Sequence, residues 1–122
     1  TLHQLIEHVP NPTEYINQVK SMLSPNGLLV ITTPNLAFAK RLAKLPRPVL
    51  GDALGHPPNH CTLFHPTTIR WILEKNGFKI LSIQNNPTGL KTKSKIRHFA
   101  DLVFKITNLI GPNMIITAVL DK

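Results

Sequence analysis

The run Leu28-Leu29-Val30-Ile31-Thr32-Thr33 constrains this chain more than any other stretch. It is apolar without alternation, the pattern of a strand covered on both faces, as in a parallel sheet flanked by helices. A turn leads into it. Ser24-Pro25-Asn26-Gly27 places proline and glycine where a type I turn takes them. Upstream, Asn11-Pro12-Thr13-Glu14 predicts a helix start, with Asn11 as cap, Pro12 in the first helical position and Glu14 reaching back as in a capping box. Ile16, Val19 and Leu23 then recur at helical spacing, with Lys20 on the solvent side.

From Pro34 to His65 the pattern weakens and prolines recur at 34, 46, 48, 57 and 58. In a compact domain a connection this long is usually a lid or binding loop, so residues 34–65 are expected on the substrate side. Its first part, Asn35 to Pro48, sets Lys40, Arg41, Lys44 and Arg47 beside Leu36, Phe38, Leu42 and Leu45. That mix suits a solvated lid helix, and a peripheral membrane contact is the second reading. His65-Pro66 then opens a helix with Ile69, Ile72 and Leu73 inward, and Gly77 followed by Phe78 closes it. "FKILSI" reads as a strand, 94–109 as a third helix, and Met114 to Leu120 as a last strand. The third helix is apolar over more than half its circumference, wider than a surface helix needs. Helix, strand, loop, helix, strand, helix, strand is the order of an α/β sheet layered with helices.

Bulk properties narrow the setting. A chain of 122 residues fits one domain, and none of its apolar runs approaches the roughly 20 residues that cross a bilayer. A lone cysteine forms no internal disulfide, so a reducing cytoplasm is the expected compartment and Cys61 is expected as a small buried side chain. The formal charge of +8 is compatible with nucleic acid, an anionic surface or acidic substrates. Basic residues are not interleaved with aromatics as in a nucleic-acid reader, so no nucleic-acid partner is expected.

The chain opens on "TLHQLIEHVPNP", apolar and strand-like at its first residues and crowded with polar side chains directly after them. Together with "MLSPNGLLVITTPN" and "HCTLFHPTTIRWILEKNGF", this opening resembles the C-terminal half of class I S-adenosylmethionine-dependent methyltransferases, the branch of ubiquinone-biosynthesis O-methyltransferases in particular. The resemblance implies a partial Rossmann-like sheet, its last strand antiparallel, with helices on both faces. Residues 1–122 would be the C-terminal part of one methyltransferase domain. The family's glycine-rich loop and the acid that holds the cofactor ribose would precede Thr1, since no G-x-G-x-x-G-like run occurs here. Asn26 stands where the family usually has glycine, and asparagine tolerates the same left-handed backbone.

The resemblance also implies a chemistry: methyl transfer from S-adenosylmethionine to a hydroxyl or similar group of a small or lipid-like molecule. Thr1, Leu2 and His3, at the end of the family's fourth strand, become cofactor-side positions. Open α/β sheets bind ligands beyond the carboxyl ends of their strands, and Glu7, His8 and the downstream His60 are the candidates to orient the acceptor or take its proton. Some relatives bind a divalent metal through an E-x-x-E-H run and a further histidine. Here that run reads Gln4-Leu5-Ile6-Glu7-His8, so Glu7, His8 and His60 are also the metal candidates. Gln4 removes one negative charge, which disfavours Mg²⁺ most, and the reading without metal is preferred. His56 and His65 are read as loop and helix-cap residues. A rival of another class is a non-catalytic membrane- or partner-binding module that keeps the fold.

Overall fold

The computed structural model of the chain describes residues 1–42, 60–86 and 111–121. The helix expected over 94–109, most of the proposed lid, and His56 lie outside the described residues. Among them, strands β1 (Leu2–His3), β2 (Leu28–Pro34), β3 (Phe78–Asn86) and β4 (Asn113–Leu120) form one sheet in the order β1-β2-β4-β3. β1 runs parallel to β2, and β4 is antiparallel to both β2 and β3. The expected antiparallel last strand is therefore present, inserted between its two predecessors.

Two helices cover the sheet. α1 (Pro12–Met22) begins where Asn11 accepts the Glu14 amide N–H through Oδ1, at 3.3 Å. The Glu14 carboxylate takes a bond from the Asn11 side-chain amide instead of reaching the cap's backbone. α3 (Pro66–Lys75) begins at His65, whose Nδ1 accepts the Thr67 N–H, and it ends before Gly77 at φ +80°. Lys20 is exposed as expected, yet its Nζ donates to the Asn76 carbonyl at 3.0 Å and so stabilises the negative end of α3. A shorter helix, α2 (Leu36–Leu42), follows β2 directly.

The core lies on one face of the sheet. Leu29 and Ile31 of β2 stand opposite Ala118 and Ile116 of β4 and pack with Ile16 of α1 and Ile69 and Leu73 of α3. Each fully buried aliphatic side chain of this kind contributes about 1.5–3 kcal/mol. The other face differs from the expectation for "LLVITT". Leu28 is exposed and Val30 and Thr32 are only half-buried, so burial along β2 alternates. Val30 stands opposite Thr117 on that face, and Leu28 and Thr32 opposite Val119 and Ile115. β2 also continues through Pro34, where the sequence suggested that a loop began. The turn before it is not type I. Asn26 has φ +63°, with the Gly27 N–H donating to the Ser24 carbonyl at 2.8 Å, and a positive φ at the third residue belongs to type II.

The outer strand β3 is blunted by a register shift between Ile80 and Ser82, which turns Leu81 out to solvent.

Candidate active site

The ends of β1 and β2 and the start of β4 meet at one edge of the sheet. There β1 stops abruptly: the Gln4 N–H still donates to the Thr32 carbonyl, but Gln4 itself sits at φ +48°. A left-handed backbone costs a non-glycine residue roughly 1–2 kcal/mol, and such residues gather at functional sites. The turn swings the chain over the edge into a one-turn 3-10 helix, Ile6–His8. Ile6 drops into the core beneath it and anchors the turn.

The second strand-to-helix passage meets the first. Asn35 and Phe64 form a parallel bridge, so the described ends of the proposed lid are pinned side by side. This brings residues 60–62 against the 3-10 turn, where the Cys61 and Thr62 N–H groups both donate to the Glu7 carbonyl, at 2.8 and 3.1 Å. The sequence could not show that junction, because it joins residues more than fifty positions apart.

Glu7, His8 and His60 are together at this junction. Their ligand atoms lie within 4.8 Å of one another, and the two imidazole rings stand 4.9 Å apart at a 53° tilt. Glu7 is fully buried. Its Oε2 accepts from Thr33 Oγ1 at 3.1 Å, while its Oε1 and His60 Nδ1 are buried without a hydrogen-bond partner among the described residues. Buried polar atoms are rarely left unpaired, and an acceptor group and an imidazole nitrogen that converge unpaired mark a place where a proton, a polar ligand or a cation belongs.

The other sequence candidates fall in different places. The Leu2 side chain turns into the core, and Thr1 and Leu2 border an apolar groove of about 270 Å³ beneath α1, together with Val19, Leu28 and Leu29. Only His3 of that trio turns outward at the edge, where its Nδ1 bonds Thr32 Oγ1. Leu2 therefore serves the core and can meet a cofactor only through its backbone. Cys61 is exposed, against the expectation of a buried thiol, because its backbone is committed to Glu7 and its Sγ lies 3.4 Å from the His8 carbonyl oxygen. His65 is the helix cap it was read to be.

Sequence reasoning missed Thr33, and it missed the carboxamides along the same edge. Gln4 Nε2 donates to Asn113 Oδ1 at 3.4 Å, and Asn35 Nδ2 donates to Asn85 Oδ1 at 3.2 Å. One signal was available. "LLVITT" turns polar just where it reaches the edge that binds ligands in open α/β sheets.

The fold is that of an α/β protein whose polar edge lies beyond the carboxyl ends of its parallel strands. The family described as Methyltransferase domain matches residues 1–83, and the chain belongs to that family. Its members carry out methyl transfer and generally use S-adenosylmethionine. No curated protein matches the chain. Among the described residues no helix is long and apolar enough to cross a membrane.

Proposed function

We propose that these residues form the acceptor side of an S-adenosylmethionine-dependent methyltransferase domain that methylates a hydroxyl of a small or lipid-like molecule, as in the ubiquinone-biosynthesis O-methyltransferase branch. The observation that carries this reading is the cluster of Glu7, His8 and His60, with ligand atoms within 4.8 Å of one another, in which Glu7 Oε1 and His60 Nδ1 are buried and unpaired.

The cofactor supplies an electrophilic methyl group on a sulfonium, so little covalent chemistry is left to the protein. What remains is to hold the acceptor in line and take its proton. Glu7 is fixed by Thr33 on one oxygen and offers the other to the acceptor hydroxyl or to the imidazolium that forms beside it. His60 receives the proton as the new C–O bond forms, and His8, tilted against it, shares the charge. Glu7 is fully buried and His60 partly so, which strengthens the interaction between them, while His8 lies exposed beside them. Of residues 1–3, His3 is the one whose side chain would face the cofactor at this edge.

One carboxylate and two imidazoles also suit a borderline divalent cation, which would be held by Glu7, His8 and His60 and would stabilise a developing oxyanion. Gln4 does not supply a second acid, because its side chain is a carboxamide bonded to Asn113. The metal-free reading is preferred on that ground. The test is methyl transfer to catechol by the full-length gene product with and without chelator. Activity that survives chelation supports a proton-accepting cluster, and activity lost to chelation and restored by Zn²⁺ or Mn²⁺ supports a metal.

A further inference from the structure

A further cavity, largely apolar with a few polar groups, opens at the same edge of the sheet, on the far side of β4 from the Glu7 cluster. It has a volume of about 350 Å³ and is lined by Asn35, Pro66, Thr67, Arg70, Ile83 and Asn85. Its floor comes from the ends of β2 and β3, and its wall is the first two turns of α3. Among the described residues the lining holds a guanidinium, two carboxamides and a hydroxyl, and no carboxylate.

The hydrogen bonding leaves donors to spare among the lining residues. Asn35, almost wholly buried, accepts the Ala37 N–H through Oδ1 and donates through Nδ2 to Asn85 Oδ1. Asn85 Oδ1 is thereby occupied, which leaves its Nδ2 as the group that can donate to a ligand. Arg70 spends one nitrogen on Glu74 at 3.3 Å, in a half-exposed pair of the kind that contributes little. The rest of its donor fork remains for a ligand, and such forks match carboxylate and phosphate oxygens. The start of α3 plays no part, because His65 already takes the Thr67 N–H.

We propose that this cavity binds the oxyanion of an acidic methyl acceptor, with Arg70 and Asn85 as the recognising residues. The proposal rests on the reading of the edge as an acceptor site. Register supplies the spacing: Thr33 and Asn85 both stand opposite Met114 from its two sides. Two strand spacings separate them, roughly 10 Å. Thr33 holds Glu7, so the proton-accepting group and the anion-recognising groups lie along one edge of the sheet, at least two strand spacings apart.

The experiment is an NMR titration of the ¹⁵N-labelled protein with sodium benzoate and, separately, with phenyl phosphate, following the Asn85 side-chain amide. The expected result is a saturable shift in the millimolar range with at least one probe, absent in Arg70→Met and retained, weakened, in Arg70→Lys. Comparison of the two probes tells a carboxylate site from a phosphate site. No saturable shift with either probe, or a shift unchanged in Arg70→Met, overturns the proposal. Arg70 is exposed, so the variant's unaltered amide spectrum elsewhere verifies its fold. Binding is read here without methyl transfer. Saturable anion binding in a protein that never methylates catechol would count against the function proposed above and leave this site standing.

Discussion

Thr33 donates its hydroxyl to Glu7 Oε2 at 3.1 Å, and the two residues are both fully buried. That single bond decides which carboxylate oxygen is left for chemistry. Thr33 is therefore a positioning residue, acting on the acceptor through Glu7. Thr33→Val keeps the shape and removes the donor. It should lower kcat about tenfold or more with a smaller effect on KM, and cost about 1–3 kcal/mol of stability for the bond lost to a buried acceptor. Thr33→Ser should restore kcat, since it restores the hydroxyl. A Val variant with wild-type kcat would mean that the bond serves stability alone.

Two backbone positions should respond in opposite ways. Asn26 and Gly77 both have positive φ, +63° and +80°. Asn26→Gly should leave the protein as stable or more so, because glycine pays no steric cost in that region. Gly77→Ala should destabilise it by about 1–2 kcal/mol, the cost of a Cβ in left-handed backbone, with that Cβ also 3.0 Å from Lys20 Nζ. Thermal unfolding of the two variants beside the parent measures both signs at once.

Cofactor affinity follows from which side chains reach the edge. Among residues 1–3 only His3 turns its side chain outward there, and no glycine-rich phosphate-type loop occurs in the 122 residues. The chain by itself should bind S-adenosylmethionine no more tightly than about millimolar, some 4 kcal/mol. Calorimetric titration gives the value directly, and a micromolar constant would show that this edge alone grips the cofactor.

Local signals were legible in the sequence, and long-range ones were not. Asn11, His65 and Gly77 mark helix ends by chemistry that acts over three or four residues, and each is found at its helix end. The apolar run Leu28–Thr33 announces a strand, but its alternating burial depends on which face the helices cover, a long-range fact. The turn at Ser24–Gly27 reads as type I from its proline and glycine, and the positive φ of Asn26 makes it type II. At the site, Glu7, His8 and His60 were readable as residue types of the right chemistry. Thr33 was hidden because its role exists only through β1–β2 pairing, which brings residue 7 over the end of a strand that closes 27 positions later, at Pro34. The bulge at Leu81 and the Asn35–Asn85 pair were unreadable for the same reason.

The most direct test is radiolabelled methyl transfer from S-adenosylmethionine to catechol by the full-length gene product, comparing wild type with Glu7→Gln and His60→Ala. Glu7→Gln keeps the size of the side chain and the Thr33 bond while removing the charge. Loss of a positioned acid–base group costs on the order of a hundredfold in rate, and each variant should show a loss of that size with its fold intact. Wild-type rates in both variants, or no transfer by the wild type to any catechol, would contradict the assignment of this cluster to methyl transfer.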